Sequence, residues 1–503
     1  MDIRTMEVKQ ILRKQSFRRA IPSDDARGEL HYGGSPDYDT NAANLPIKYW
    51  YPTQDDFLRE FDPSSHRINS IKYYPNLVWT EEQTGACKAK VRSRVSVAWQ
   101  RRIHTKRLVA LTGFDPDITL PRSKTDEKSH EGLKLFKEGW ANKDMDTAIH
   151  LAISADFKVG DVAIAGFKSK GEFGYRIFSY EKGDVLYPHC DPMTGRLGAF
   201  GRKFIVEETN PKDEAFTEKV AYLDLWDDKY YMQYRQIPSW ERKEKEDKEW
   251  EVSVKPALHK FRSIPVAYHR YGEPVWAGSQ SLIEQNELAL SQLSENNAQF
   301  ALRILYSLGA EFEMDTSSDG TPLQISSTDP NAKVGFLDNA EKSSSYELEL
   351  NKQEKEIMRC SFAVETPEIK SGSDISSLTV KTMMQDSYVK ALDDSKEYQG
   401  FLNDVVRIFA EGYGTEKGNE ADMVSLGVKA KLQPWVFMSE SEVVNTVVQL
   451  VSVGVLSKRS AIEYIYETLG LGSVDEAERV LQEAHDELVG QQAVNPNVTV
   501  VEE

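Results

Sequence analysis

The sequence predicts an α+β fold in which a mixed, strand-containing half precedes a helical half. From Asp161 the apolar period shortens to two, and strand-like runs separated by turn residues continue to about residue 235. After Ile264-Pro265-Val266 the pattern becomes long and helical. The chain has 503 residues, 40% of them hydrophobic and 28% charged. That is enough apolar material for about three or four packed regions without disulfide staples.

Residues 4–20 pattern as a short basic amphipathic helix, with Met6, Ile11 and Leu12 opposite Lys9, Arg13, Lys14, Arg18 and Arg19, and read as a peripheral arm. Residues 21–45, rich in Pro, Asp, Gly, Ser and Asn, read as loop. Val95, Ala98, Trp99, Ile103, Leu108 and Val109 predict a helix over 90–112, and Ala148, Leu151, Ala152 and Ala155 a second over 145–159. Val162-Ala163-Ile164-Ala165 reads as a buried strand, followed by a glycine-rich turn and the strand Tyr175-Arg176-Ile177-Phe178. Further strands are expected near 184–187, 203–208, 219–225 and 229–235, whereas the mixed-sign run 240–250 reads as a solvated excursion.

In the second half, Leu282, Ala289, Leu293, Phe300 and Ile304 recur at spacings of 7, 4, 7 and 4 and predict one helix over 279–305. At ~1.5 Å per residue it would be about 40 Å long. Its polar face carries Glu284, Glu287, Ser291, Ser294 and Glu295. A loop-and-strand insert follows over 306–342, with turn chemistry at Asp319-Gly320 and Asp329-Pro330. A helix over 345–364 stops at Thr366-Pro367, and a small, polar segment runs to Ser377. Residues 378–413 pattern as one very long helix, with Gly400 as a bend. Capping boxes at Ser439/Glu442 and Ser473/Glu476, and an N-cap at Ser457, mark three compact C-terminal helices before a tail over 490–503.

Composition excludes several function classes. With 80 acidic and 62 basic residues the net charge is −18, which argues against a surface built to grip nucleic acid, since phosphate binding needs Lys and Arg. Cys87, Cys190 and Cys360 lie far apart with no CxxC, which suits a reducing compartment and excludes a zinc ribbon. No signal peptide and no transmembrane helix are expected. Gly166-Phe-Lys-Ser-Lys-Gly171-Glu172 resembles a phosphate loop but sets Glu172 where the phosphate-binding Lys belongs, so it reads as a β-turn. Asp315-Thr-Ser-Ser-Asp319-Gly320 starts like a calcium loop but has Ser326 at the twelfth position instead of Glu, and also reads as a turn. His189 beside Cys190 is the one metal-like pair and reads as loop. No catalytic or metal site and no cofactor is expected.

The order of elements and several local phrases resemble the portal proteins of tailed bacteriophages, of the type found in long-tailed siphophages, over roughly residues 90–490. Ser96-Val97-Ala98-Trp99, leading to Leu108 and Gly113-Phe114-Asp115-Pro116, resembles the family's early helix and the extended segment after it. Ile264-Pro265-Val266 before Gln280-Ser281-Leu282-Ile283-Glu284-Gln285-Asn286 resembles the approach to the first stem helix. Gly454-Val455-Leu456-Ser457-Lys458-Arg459-Ser460-Ala461-Ile462, then Asp475-Glu476-Ala477-Glu478-Arg479-Val480, resembles the C-terminal helices.

The resemblance implies a portal fold with a mixed α/β wing, long stem helices, a small α/β clip and an all-α crown. It implies a ring of about twelve subunits at one capsid vertex, serving DNA packaging and ejection. By position, 1–89 is an N-terminal arm and loop region, 90–275 the wing (with a strand at 424–436), 276–305 the first stem helix, and 306–342 the clip. Then come the second stem helix (343–365), the tunnel loop (366–377), a long kinked helix (378–413), the crown (437–490) and the tail (491–503). Lys370, Ser371, Gly372, Ser373 and Lys381 are then expected to face DNA, and Glu284, Glu287 and Glu295 to flank the channel. Ile325, Val334, Phe336 and Leu337 of the clip would contact neighbouring subunits. The implied partners are further copies of the chain, the terminase large subunit, a head–tail adaptor, the major capsid and scaffolding proteins, and double-stranded DNA passing without sequence preference; no membrane is involved. The chain would reside in the virion, and in host cytoplasm during assembly, and would not be an enzyme. The alternatives are another virion structural or scaffold protein, or an enzyme of a motif-poor class.

Overall fold

The computed structural model describes residues 8–12, 53–80, 87–242, 249–300, 304–308, 311–314, 322–326, 333–337, 343–363, 377–435 and 440–457, together with Arg4 and residues 461, 462, 464 and 465. The chain divides into two compact units. One comprises Met1–Glu365 with Ser387–Trp435, the other Thr366–Asp386 with Val436–Glu503.

The first unit opens with the single turn α1 (Val8–Ile11) and continues with α2 (Gln54–Phe61). The Asp56 carboxylate accepts the Thr53 amide at 2.8 Å and closes the first turn of α2. The hairpin β1 (Leu77–Thr80)–β2 (Cys87–Lys90) leads through residues 91–98 to α3 (Trp99–Thr112). Next come β3 (Asp117–Thr119), α4 (Glu127–Asn142) and α5 (Met145–Val159). Helix α5 ends at Gly160, whose φ of +81° is the left-handed conformation that glycine adopts without steric cost.

Two antiparallel sheets follow. One has the order β11-β4-β5, from β4 (Val162–Ser169), β5 (Glu172–Phe178) and β11 (Val266–His269). The other orders β6 (Val185–Cys190), β7 (Leu197–Asn210), β8 (Asp213–Trp226), β9 (Tyr230–Gln236) and β10 (Trp250–Leu258) as 10-9-8-7-6. Strand β4 is apolar without alternation because it is buried on both faces. Val162 and Ile164 join the helical core, while Ala163 and Ala165 pack with Phe178, Phe200 and Trp226. Ile11 is fully buried against Tyr187, Leu223, Leu225 and Met232, so part of the basic arm is an apolar plug on the larger sheet.

The remaining elements are α6 (Gln280–Phe300), β12 (Ile304–Leu308), β13 (Glu311–Met314), β14 (Pro322–Ser326), β15 (Lys333–Leu337), α7 (Ser343–Cys360), α8 (Ser377–Glu397), α9 (Gln399–Glu416), α10 (Glu420–Ser425) and β16 (Lys429–Lys431), which pairs with β3. The core gathers α3, α4, α5 and α9 on the smaller sheet. At its centre Phe136, Trp140, Phe173 and Tyr413 surround Phe409, with ring centroids 5.0–5.6 Å from it. Two glycines permit this approach. A Cβ on Gly139 would lie 2.3 Å from the Tyr413 ring, and one on Gly412 would lie 2.0 Å from Phe173. In the second unit, α11 (Glu440–Ser452) buries Val443 and Val447 against Ala461, Leu456 and Ile465.

Several expectations change. Residues 91–98 form neither helix nor strand, and the helix expected from 90 begins at Trp99. The first long helix ends at Phe300, and Ile304 belongs to β12. The β-branched and aromatic run Ile-Leu-Tyr there pairs with β15 instead of extending the helix. Of the strand expected at 424–436, Val424 and Ser425 end α10, and only Lys429–Lys431 find a partner strand. The very long helix breaks at Tyr398, two residues before Gly400. The phosphate-like loop is the β4–β5 hairpin turn, with Lys170 and Gly171 both at positive φ.

Candidate functional site

Among the described residues the features that stand out are architectural: a helical hairpin, a polar seam along it, and a buried anchor behind it. Among the described residues no group of His, Cys, Asp and Glu is arranged to hold a metal ion, and no helix is long and apolar enough to cross a membrane.

Helices α6 and α7 pack together, with Ile283 and Ile357 fully buried. Ser279 Oγ donates to the Ile357 carbonyl at 3.1 Å and Asn286 Nδ2 to Gln353 Oε1 at 3.3 Å. The chain leaves α6 through β12 and returns to α7 through β15, in antiparallel register from Ile304↔Leu337 to Leu308↔Lys333. Between them β13 and β14 form a second two-stranded ladder. The insert is thus a β-stranded tip carried by two helices. In it, Ile325 pairs with Phe312, Val334 with Ser307, Phe336 with Leu305 and Leu337 with Ile304.

The polar face of α6 is a seam. Arg67 Nη1 donates to Glu284 Oε2 at 2.9 Å. Glu287 Oε1 accepts the Val97 amide at 2.9 Å and meets His66 Nδ1 at 2.5 Å. Ser291 Oγ accepts the Val95 amide at 2.9 Å, and Ser294 Oγ lies 2.7 Å from Ser93 Oγ. Glu295 Oε2 accepts Tyr74 OH at 3.2 Å and lies 3.7 Å from Arg92. Trp99 Nε1 donates to Asn286 Oδ1 at 3.2 Å. The side chain of Glu287 is 2% exposed, against 15% for Glu284 and 12% for Glu295. The face that reads as solvated in sequence is therefore covered within the subunit by residues 66–99. Within the 91–98 stretch, the Val95 and Val97 amides are given to side chains of this helix in place of an intrahelical partner.

Glu60 and His66, at the seam, titrate away from their ordinary values. Burial pushes the Glu60 carboxyl up to about 7, against a Trp276 indole N–H that favours its charged form. Burial pulls His66 down, but the Glu287 carboxylate and the Glu60 carbonyl outweigh it, and the ring titrates above its ordinary value.

The anchor fastens α8 and α9 to the core. Asp394 accepts Arg107 Nη2 at 2.6 Å and pairs with Lys390 Nζ at 2.8 Å; Arg107 Nη1 also donates to the Ser361 carbonyl at 3.1 Å. Four residues on, Tyr398 is fully buried, donates to Asp156 Oδ2 at 2.6 Å and stacks on His269 at 4.0 Å. These contacts sit just before the α8–α9 break and at it.

Lys381 lies on α8, and Lys370, Ser371, Gly372 and Ser373 lie outside the described residues. Sequence reasoning missed His66, Arg67, Tyr74 and Arg92, all supplied by the region assigned to the arm or to a helix. The alternation Arg92-Ser-Arg-Val-Ser-Val97 was a readable sign against a helix there.

The model of a family described as phage portal protein, SPP1 Gp6-like, matches residues 88–487. No curated protein matches the chain.

Proposed function

The chain belongs to the phage portal protein family, SPP1 Gp6-like, and from that premise we propose how its parts divide the work. A protein of this family is a structural component of the virion, standing at the capsid vertex where the genome is packaged and the head meets the tail. The family works as a homo-oligomeric ring, typically a dodecamer.

In our reading α6 and α7 are the stem, the β12–β15 insert is the clip, residues 90–275 with β16 are the wing, 366–377 the tunnel loop and 437–490 the crown. The observation that carries it is the helical hairpin whose β-stranded tip lies inside the family match. Each ladder of that tip has only two strands, which is marginal in water, so neighbouring copies complete it. Ile325, Val334, Phe336 and Leu337 supply its apolar contacts.

DNA has to slide without being held. Strong phosphate contacts along a lumen would retain it through counterion release, and a chain of net charge −18 offers few. Glu284 and Glu295, which keep some exposure, are our candidates for flanking the channel, whereas Glu287 is sealed by His66. Lys370 and Lys381, with Ser371, Gly372 and Ser373, are the candidates for adjustable contact with passing DNA. The terminase large subunit and a head–tail adaptor would dock at the clip, and the capsid and scaffolding proteins at the wing. ATP hydrolysis would come from the separate motor chain. The test is reconstitution: capsids assembled with this chain should fill with DNA when motor and ATP are supplied. Equal filling of capsids that lack the chain would contradict the reading.

A further inference from the structure

The His66–Glu287 contact has a property that its geometry alone dictates. His66 Nε2 lies 2.7 Å from the Glu60 carbonyl oxygen, and Nδ1 lies 2.5 Å from Glu287 Oε1. Both ring nitrogens therefore face oxygen acceptors, and a neutral imidazole has only one N–H to give. Glu287 Oε1 already accepts the Val97 amide at 2.9 Å, which leaves the carboxylate as acceptor and the extra proton on the ring. The side chains are 3% and 2% exposed, so water cannot replace a missing donor. The charged groups facing the ring are Glu60 on α2 and Glu287 on α6; Asp56 and Glu284 act on Glu60, and Arg67, next to His66 in the chain, pairs with Glu284.

We propose that this contact is a proton-operated latch: with the ring doubly protonated, residues 53–80 and 91–97 stay closed on α6, and loss of the proton releases them. Deprotonation turns a lone pair toward one of two oxygens and removes the positive charge beside the buried Glu287 carboxylate. The Val97 and Val95 amides, held by Glu287 and Ser291, then open with it. Residues 53–80 precede the family match, yet they supply the ring that governs this helix. The latch concerns α6 alone; only its consequence, that the latch sets how firmly a stem helix is tied to the wing, rests on the proposed function.

The sign follows from linkage. The folded-state value of His66 is raised, so the closure it supports is complete below the ring's ordinary value and is lost as pH rises through the raised one. The test is hydrogen exchange of the full chain between about pH 6 and about pH 9, corrected for the chemical exchange rate and read on peptides covering 91–97. Protection in the wild type should fall by up to about tenfold per pH unit between the ordinary and the raised value. Glu287→Gln removes the charge that holds the proton, and its protection should be lower and flat once Glu60, which titrates at about 7, has ionised. His66→Gln should be flat over the same interval, and serves if the first variant does not fold. Glu60→Gln, which keeps an acceptor for Trp276, should retain the step. A flat wild-type profile would overturn the latch, as would an undiminished step in Glu287→Gln or loss of the step in Glu60→Gln. The readout is local, so failure here is distinct from failure to form a ring.

Discussion

Replacing Asp394 by alanine strands a buried cation, Arg107, at the foot of α8. The Asp394 side chain is 1% exposed and Arg107, its closest partner, 4%. Arg107 would keep the Ser361 carbonyl and Tyr271 hydroxyl but lose the Asp394 carboxylate, while Lys390, 22% exposed, can still reach Asp393 at 3.2 Å. The loss therefore falls on Arg107. Breaking a buried pair by removing one partner costs about 3–5 kcal/mol. About 1 kcal/mol moves the melting temperature of a domain of this kind by ~2–4 °C, so Asp394→Ala should lower it by roughly 6–20 °C. Scanning calorimetry on the purified protein measures this. Combining Asp394→Leu with Arg107→Met should cost less than the two single changes added, by about 1–3 kcal/mol, because neither charge is then left alone. A shift under about 2 °C for Asp394→Ala, or strict additivity in the double variant, would refute the anchor.

The other expectations are simpler to test. Gly412→Ala puts a Cβ 2.0 Å from Phe173 and should cost about 1–3 kcal/mol, whereas Gly400→Ala meets nothing within 4 Å on an exposed helical face and should stabilise by about 0.5–1 kcal/mol; urea unfolding distinguishes them. Phe336→Asp, opposite Leu305 in the clip ladder, should shift the protein to smaller species in sedimentation while circular dichroism stays unchanged. Lys370→Glu should leave the ring's mass unchanged and alter the rate or length of DNA packaging, since a ring multiplies one charge by its subunit number.

The parts legible in the sequence were those whose burial is one-sided or complete. Val162–Ala165 reads as strand because it is apolar throughout, and Met145–Val159 as helix because Ala148, Ala152 and Ala155 recur on one face. Strands β7 and β8 run to 14 residues each, longer than expected, because Gly198 and Gly201 early in β7 and the charged opening of β8 from Asp213 carry no strand signal. Strand β10 was hidden behind the charged run before it and by Pro256 within it. The break at Tyr398 depends on contacts with Asp156 and His269, more than a hundred residues away, and no local pattern reports them. The seam was misread for a related reason. A row of Glu and Ser on a helix looks solvated until the chain that donates to it is in place.

The account turns on ring formation, and native mass spectrometry of the purified full-length protein tests it most directly. It predicts one dominant assembly at about twelve times the 57.1 kDa subunit mass, seen in projection as a closed ring with a central hole. A monomer that persists at high protein concentration, without a hole in projection, would contradict it.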